Sequence, residues 1–339
     1  MTVRKPIVVV EGPKTANLVA VWGDTLLSVH IHDATAHDSD SCTLVFSTAP
    51  PFPPLPPKGT RYVVSVGWSA AAMAMTGIYT VQRSTIAGDP ESGHTITVEC
   101  RAADLADKAK TVDSAHWDDT TLGAIVDDIA SKMGMTAVID PEMRSIAIPY
   151  RARIDQEALD FLSDLGDDFG GAVKIAGDKV VMTKRGSGRS ASGADLATIT
   201  VVYAPSYAFS FEFEPRGDDA ESSASWWDDE TGTWIDETDE GSGKGRLAGP
   251  HPWPSKGEAK LGARARRGER KRKAATGSIE VPGDPSAVAG CPVVASGYGP
   301  DADGTAWIAE SIDHEIVPES GWIMTFNLET KDGKKGGED

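Results

Sequence analysis

The 339-residue sequence predicts an α+β chain that is mainly β, with two β regions flanking a small α/β unit. Three observations lead there. Between residues 116 and 193, two segments repeat apolar residues at helical spacing, and each is followed by strand-like sequence. Before residue 110 and after residue 195, polar and apolar residues alternate with the period of two that a half-buried strand requires. The hydrophobic share is 40%, enough for a packed core, which excludes a disordered chain.

Residues 1–110 read as the first β domain. Ile7-Val8-Val9-Val10 is an apolar run of four residues ended by Glu11, a strand rather than a signal peptide. Tyr62–Val66 and Ile78–Val81 are rich in β-branched and aromatic residues, and Thr95–Cys100 alternates between faces. Six prolines in the eight residues 50–57 cannot join a ladder or a helix, so this stretch reads as a stiff connector.

Residues 111–185 read as the α/β domain. Leu122, Ile125, Val126, Ile129 and Met133 form one helical stripe, with Asp119 or Thr120 as its cap and Gly134 as its stop. A second helix is expected from Asp155 to Phe169, with Asp155 as N-cap, Gly170 as its stop, and Ala158, Phe161, Leu162, Leu165 and Phe169 on its apolar side. Val173–Ile175 and Val180–Met182 flank Gly177-Asp178, a hairpin signal.

Residues 186–194 are rich in Gly and Ser and read as a flexible linker. Residues 195–330 read as a second β domain, with an acidic hairpin and a basic helix at about 255–275 inserted in it. Phe209, Phe211 and Phe213 share one strand face. Ile308–Ile316 and Trp322–Leu328 read as a closing hairpin. The polar tail 331–339 reads as disordered.

The formal net charge of −18 excludes a general nucleic-acid binder, since phosphate binding needs clustered cations. Cys42, Cys100 and Cys291 are odd in number and far apart, so they imply no disulfide framework and read as buried thiols. No stretch is apolar for long enough to insert in a membrane as a helix.

Each candidate site has a plainer alternative. His30 and His32 would share a strand face, and His37 could swing back to complete a metal site. No second ligand cluster supports that, so a strand entering a polar loop is preferred. Residues 217–240 hold ten acidic residues, no basic one, and Trp226, Trp227 and Trp234. Paired carboxylates beside aromatics suggest a sugar-cleaving cleft. An exposed hairpin turning at Asp228–Gly232 is preferred, because acidic runs are usually solvated. The spacing does not fit a twelve-residue calcium loop. Residues 264–273 carry seven Lys/Arg, including Arg266, Arg267 and Arg270. A basic helix face that balances the acidic hairpin or a neighbouring subunit is preferred over a nucleic-acid patch. No nucleophile elbow or phosphate loop is present, and no cofactor is implied.

His116–Val126 resembles the signature of the phage late control gene D protein family, the tail or baseplate hub proteins related to the hub part of VgrG-type spikes. Asp155–Phe169 followed by Gly170 resembles the helix those proteins share. Ser65–Trp68, Gly77–Val81 and Arg101–Leu105 resemble the family's first barrel, Gly186–Gly193 its interdomain linker, and Trp307–Leu328 its closing hairpin. Asp164, Asp167 and Asp168 depart from the pattern, since relatives often carry Arg there. The acidic hairpin and the Pro-containing segment 250–254 also look peculiar to this chain.

The resemblance implies two β-barrel-like tube domains in each chain and a homotrimer that looks six-fold to the tail tube protein. It implies a trimeric spike protein on the other face and the tape measure protein as a further partner. DNA would pass through without specific binding. The protein would reside in the virion tail, and in the host cytoplasm during assembly. Trp226, Trp227, Trp234, Trp322, Arg266, Arg267 and Arg270 are then expected at interfaces. The alternatives are a tail-associated peptidoglycan hydrolase using carboxylates in 217–240, and a nucleic-acid-binding module using the basic helix.

Overall fold

The computed structural model describes residues 5–13, 18–19, 25–35, 40–69, 73–90, 93–102, 112–214, 221–239, 246–248 and 251–331. The first β region holds β1 (Ile7–Glu11), β2 (Leu26–Ala34), β3 (Ser41–Ser47), β4 (Arg61–Gly67), β5 (Met73–Asp89) and β6 (Gly93–Arg101). Then come β7 (Val112–Thr121), α1 (Leu122–Met133), β8 (Thr136–Ile139), α2 (Pro141–Arg144), β9 (Ala147–Glu157), α3 (Ala158–Asp168), β10 (Gly171–Ala176) and β11 (Lys179–Lys184). The remainder holds β12 (Ile199–Val202), β13 (Phe209–Phe213), β14 (Glu221–Asp228), β15 (Thr233–Asp239), β16 (Arg246–Ala248) and α4 (Lys256–Arg272). It ends with β17 (Ala275–Pro282), β18 (Pro292–Ser296), α5 (Pro300–Asp303), β19 (Trp307–Val317) and β20 (Gly321–Thr330). Strands dominate, in keeping with an α+β, mainly β chain.

One sheet runs through both β regions, in the order β1-β4-β5-β6-β3-β2-β19-β20-β17-β13, with β18 also on β19 and β12 on β18. The join is β2 against β19, antiparallel from Val29↔Ile316 to Ala34↔Ser311. The path ends at β1 and β13, so pairing among the described strands does not close either region into a barrel. Alternation sets the two faces: Trp322, Met324, Phe326 and Leu328 of β20 are buried while Ile323 is exposed. The closing hairpin reaches beyond its own region, so that Ile316 and Trp322 join the core formed by Val29, Leu44, Val64 and Val98.

In the α/β unit, α1 buries Leu122, Ile125, Val126, Ile129 and Met133, the stripe read from the sequence. Its cap is Thr121, whose hydroxyl accepts the Ala124 N–H, rather than Asp119 or Thr120. Asp119 instead holds a left-handed turn in β7, at φ 42°. Gly134 ends the helix at φ 75°, as expected. The second helix starts at Ala158, not after Asp155. Pairing of β7 with β9 runs on to Val112↔Glu157, and this ladder claims the residues that helical spacing had assigned to the helix. Asp155 sits in β9 at φ 45°, and its carboxylate accepts from Ser114 rather than capping α3.

The acidic hairpin and basic helix were expected within the second β domain. Their small residues Ala224, Ala259 and Ala263, with Trp253, instead share the core of α1 and α3. Burial of this face decides the partner, and sequence position does not. The tail expected to be disordered lies outside the described residues from 332 onward.

Candidate functional site

The two charge features form one packed unit. Ser255 caps α4: its Oγ accepts the Glu258 N–H at 3.3 Å and donates to Glu258 Oε1 at 3.0 Å. Ala259, Gly262 and Ala263 make a small-residue face that lets Trp253 lie close. A Cβ at Gly262 would fall 2.2 Å from the Trp253 ring. β14 continues that layer, since the Trp253 N–H donates to the Ser225 carbonyl at 2.7 Å.

Four of the hairpin's carboxylates are engaged in holding it. Asp236 accepts from Ser225 Oγ at 2.6 Å, and Glu237 from Trp226 Nε1 at 3.3 Å. Asp228 accepts from Thr231 Oγ1 at 2.7 Å across the turn. Arg267 of α4 reaches Asp239 at 3.1 Å, and Lys256 lies 3.8 Å from Glu237. The basic face and the acidic hairpin therefore balance each other in part. Trp227 and Trp234 remain 42% and 59% exposed, edge to face at 5.1 Å. Trp226 is half-buried, Arg270 is exposed, and Arg266 is half-buried with its Nη1 lacking a partner among the described residues.

The opposite face of α4 lines a groove of about 560 Å³ with the turn after β11. Seven cations and one acid, Asp239, line it. Lys184, Arg185 and Arg267 are paired with Glu142, Asp167 and Asp239. Lys260, Arg264, Lys271 and Lys331 make no ion pair among the described residues. An adjoining hollow of about 190 Å³ has an apolar floor of Met143, Ile146, Phe169 and Leu261. Single-cation counting in the sequence found α4 but not this groove, because Lys184, Arg185 and Lys331 come from other elements. The departures Asp167 and Asp168 are matched inside the chain, by Arg185 at 2.5 Å and Arg151 at 2.6 Å.

His30 and His32 share one face of β2 as expected, and no group of three metal-ligating side chains forms among the described residues. His32 and Asp313 are register partners in the β2–β19 join, with Nδ1 and Oδ1 2.6 Å apart, and His30 stands opposite Glu315. The hydrogen bond from His32, aided by Asn327, holds the Asp313 carboxyl below its usual range against partial burial. His37 lies outside the described residues.

Next to this pair is a cluster the sequence did not reveal. Lys174 of β10 places Nζ 2.9 Å from Asp33 Oδ1 and 3.3 Å from Asp40 Oδ2. Asp33 also accepts the Ala289 N–H at 2.7 Å, so one carboxylate joins the first β region, the α/β unit and the second β region. Burial pushes the Asp33 carboxyl up, but Lys174 and the Ala289 N–H outweigh it and hold the group below its ordinary value. For Asp40 burial wins, and the carboxyl rises to about 6. The one visible signal was a lysine in the middle of the apolar run Val173-Lys174-Ile175.

Trp322 is a correction. It was expected at an interface between chains, yet it is 2% exposed. It packs on Trp68 at 5.3 Å between ring centres and donates Nε1–H to His314 Nδ1 at 3.2 Å. It joins the two β regions of one chain. Exposed apolar surface gathers instead at the open end of the sheet, where Phe209 and Phe213 of β13 are 45% and 44% exposed. Tyr203 packs edge to face on Phe209 at 5.7 Å.

No protein-family model matches the chain. The chain is 28% identical over 203 residues to the probable baseplate hub protein of Escherichia phage P2, covering 60% of this chain and 52% of that protein. It is 24% identical over 210 residues to the probable baseplate hub protein of Escherichia phage 186, covering 62% and 53%. The chain thus spans about half the length of the curated relatives it matches. The 43 kDa tail protein of prophage MuSo2 from Shewanella oneidensis shares the fold at TM-score 0.68 and 17% identity, covering 96% of this chain and 99% of that one. A tail protein from Neisseria meningitidis MC58 does so at 0.67 and 13%, covering 98% of each. An Escherichia coli component of the type VI secretion system matches at 0.58 and 12%, covering 93% and 76%, and is itself described as similar to the T4 tail proteins gp27 and gp5. The resemblance read from the residues holds at this level: the chain is similar in sequence to probable baseplate hub proteins and has the fold of phage tail proteins.

Proposed function

We propose that this chain is a structural tail hub of a phage or phage-like particle, joining the tail tube to the central spike and leaving a passage for DNA. The observation that carries the reading is the sequence similarity to two probable baseplate hub proteins. Near-complete fold similarity to tail proteins supports it. In this reading three copies form a ring that meets the tube protein on one face and a trimeric spike on the other, with the tape measure protein nearby. Such a ring needs heterologous contacts, in which two different patches of one chain meet. The open sheet end at β13, with its exposed aromatics, is a surface suited to that role. In this reading a contractile injection system fits best as the particle, and the protein sits in the virion tail after assembly in the host cytoplasm.

The role is non-enzymatic. The hydrolase alternative rests on carboxylates in 217–240, and Asp228, Asp236, Glu237 and Asp239 are hydrogen-bonded or ion-paired within the hairpin unit. The first test is the solution mass by light scattering after size exclusion, alone and with tube and spike proteins. The chain mass is 35.8 kDa, and the expected species in the presence of the spike holds three copies. A chain that stays monomeric and joins neither tube nor spike would remove the hub reading.

A further inference from the structure

We propose that the cationic groove on α4 is the docking site for the acidic, tryptophan-bearing hairpin tip of a second copy of this chain. The proposal rests on the hub reading in one respect, that copies assemble side by side.

Copies carrying −18 each repel at long range, so a contact between them needs local complementarity. The groove supplies one half of it. Lys260, Arg264, Lys271 and Lys331 converge there without ion-pair partners among the described residues. Beside them, Phe169 and Leu261 floor an apolar hollow. A fitting occupant therefore carries both carboxylates and apolar side chains. A bare phosphate chain would supply only the first.

The hairpin tip has both. Asp229 and Glu230 are exposed, and so are all residues from Asp229 to Trp234. Trp227 and Trp234 present aromatic rings at the same end. The tip also stands away from its own groove. Trp226 is bridged to Trp253, ahead of the first residue of α4, and the tip lies beyond that bridge. The stem is the part fixed to the helix, through Arg267 and Asp239. Each chain thus carries a donor and a receptor at different places, the heterologous arrangement that closes rings. Exposed tryptophans entering a partner's apolar pocket are the side chains that most often dominate an interface.

The test is a charge swap, read by sedimentation and light scattering at low and high salt. The groove variant is Arg264→Glu with Lys271→Glu, and the tip variant is Asp229→Lys with Glu230→Lys. All four side chains lie on the surface, and circular dichroism checks that each variant folds. We expect wild type to self-associate, each variant to weaken that by more than about tenfold, and the combined variant to recover it. Trp234→Ser should weaken it as well. Variants that keep the wild-type association overturn the docking contact and leave the hub reading intact. A wild-type chain that stays monomeric yet co-assembles with tube and spike does the same. A chain that neither self-associates nor co-assembles removes both. A single-stranded oligonucleotide bound by wild type but not by the groove variant, with self-association unchanged, would assign the groove to phosphate and overturn the proposal.

Discussion

Lys174 has one charge to share between two carboxylates, and the two fare differently. Asp33 is closer to Lys174, and the Ala289 N–H it accepts at 2.7 Å is nearer than the Ala34 N–H that Asp40 accepts at 3.2 Å, so Asp33 stays ionised below its ordinary range. Asp40 rises to about 6, so its ionised form costs stability at neutral pH. Asp33→Asn should therefore destabilise by about 3 kcal/mol at neutral pH, as breaking a buried pair does. Asp40→Asn should be neutral or stabilising there, and urea denaturation of the two variants checks the contrast. His314, 1% exposed, is lowered to about 4 by burial, with Asp33 and Asp313 pulling the other way. Its unfolded value lies higher, so the unfolded chain takes the proton first, and stability is lost as pH falls from about 6.5 to about 4. Over nearly the same window Asp40 works in the opposite sense, because the folded chain takes that proton first. The His314 effect is worth about 3 kcal/mol. His314→Asn keeps an acceptor for Trp322 and should leave a chain whose stability rises as pH falls through 6. Asp40→Asn should leave one whose stability falls. Identical pH slopes in the two variants would contradict both assignments.

At the scale of elements, the two long capped helices provide a matched comparison. Thr121 caps α1 through a single exposed hydrogen bond, from the Ala124 N–H at 3.3 Å. Ser255 caps α4 and also donates to Oε1 of buried Glu258, whose Oε2 has no partner among the described residues. Thr121→Ala should cost about 1 kcal/mol. Ser255→Ala should cost about 2 kcal/mol, because it strands a buried carboxyl as well as an N–H. Equal costs, measured by thermal or chemical unfolding, would mean that Glu258 finds another partner. In the sequence α1 was legible from its apolar periodicity and α4 from its run of basic residues. The start of α3 was not, since a strand ladder through Glu157 competes for the same residues, and ladder partners such as Val112 lie far away in sequence.

For the whole molecule, the join between the β regions matters most. The core of the first region contains Ile316 and Trp322, and β2 is completed by β19. A fragment of residues 1–110 lacks both. It should give no cooperative melt and a poorly dispersed amide spectrum, whereas the full chain should melt the two β regions together. A fragment that folds cooperatively would show that the β2–β19 join is dispensable.

The sequence by itself determined the class of the chain, the faces of its helices and strands, and its likeness to hub proteins. Those follow from local periodicity, from the charge on short segments, and from ordered blocks such as His116–Val126. Only the tertiary structure decided which faces meet. It turned Trp322 from an expected contact between chains into a core residue, and placed the acidic hairpin on the α/β unit. It gathered Lys174, Asp33, Asp40 and the Ala289 N–H from three regions into one buried cluster. The reason is physical. Burial and charge pairing act through space between residues more than a hundred positions apart, and nothing in local periodicity records that distance.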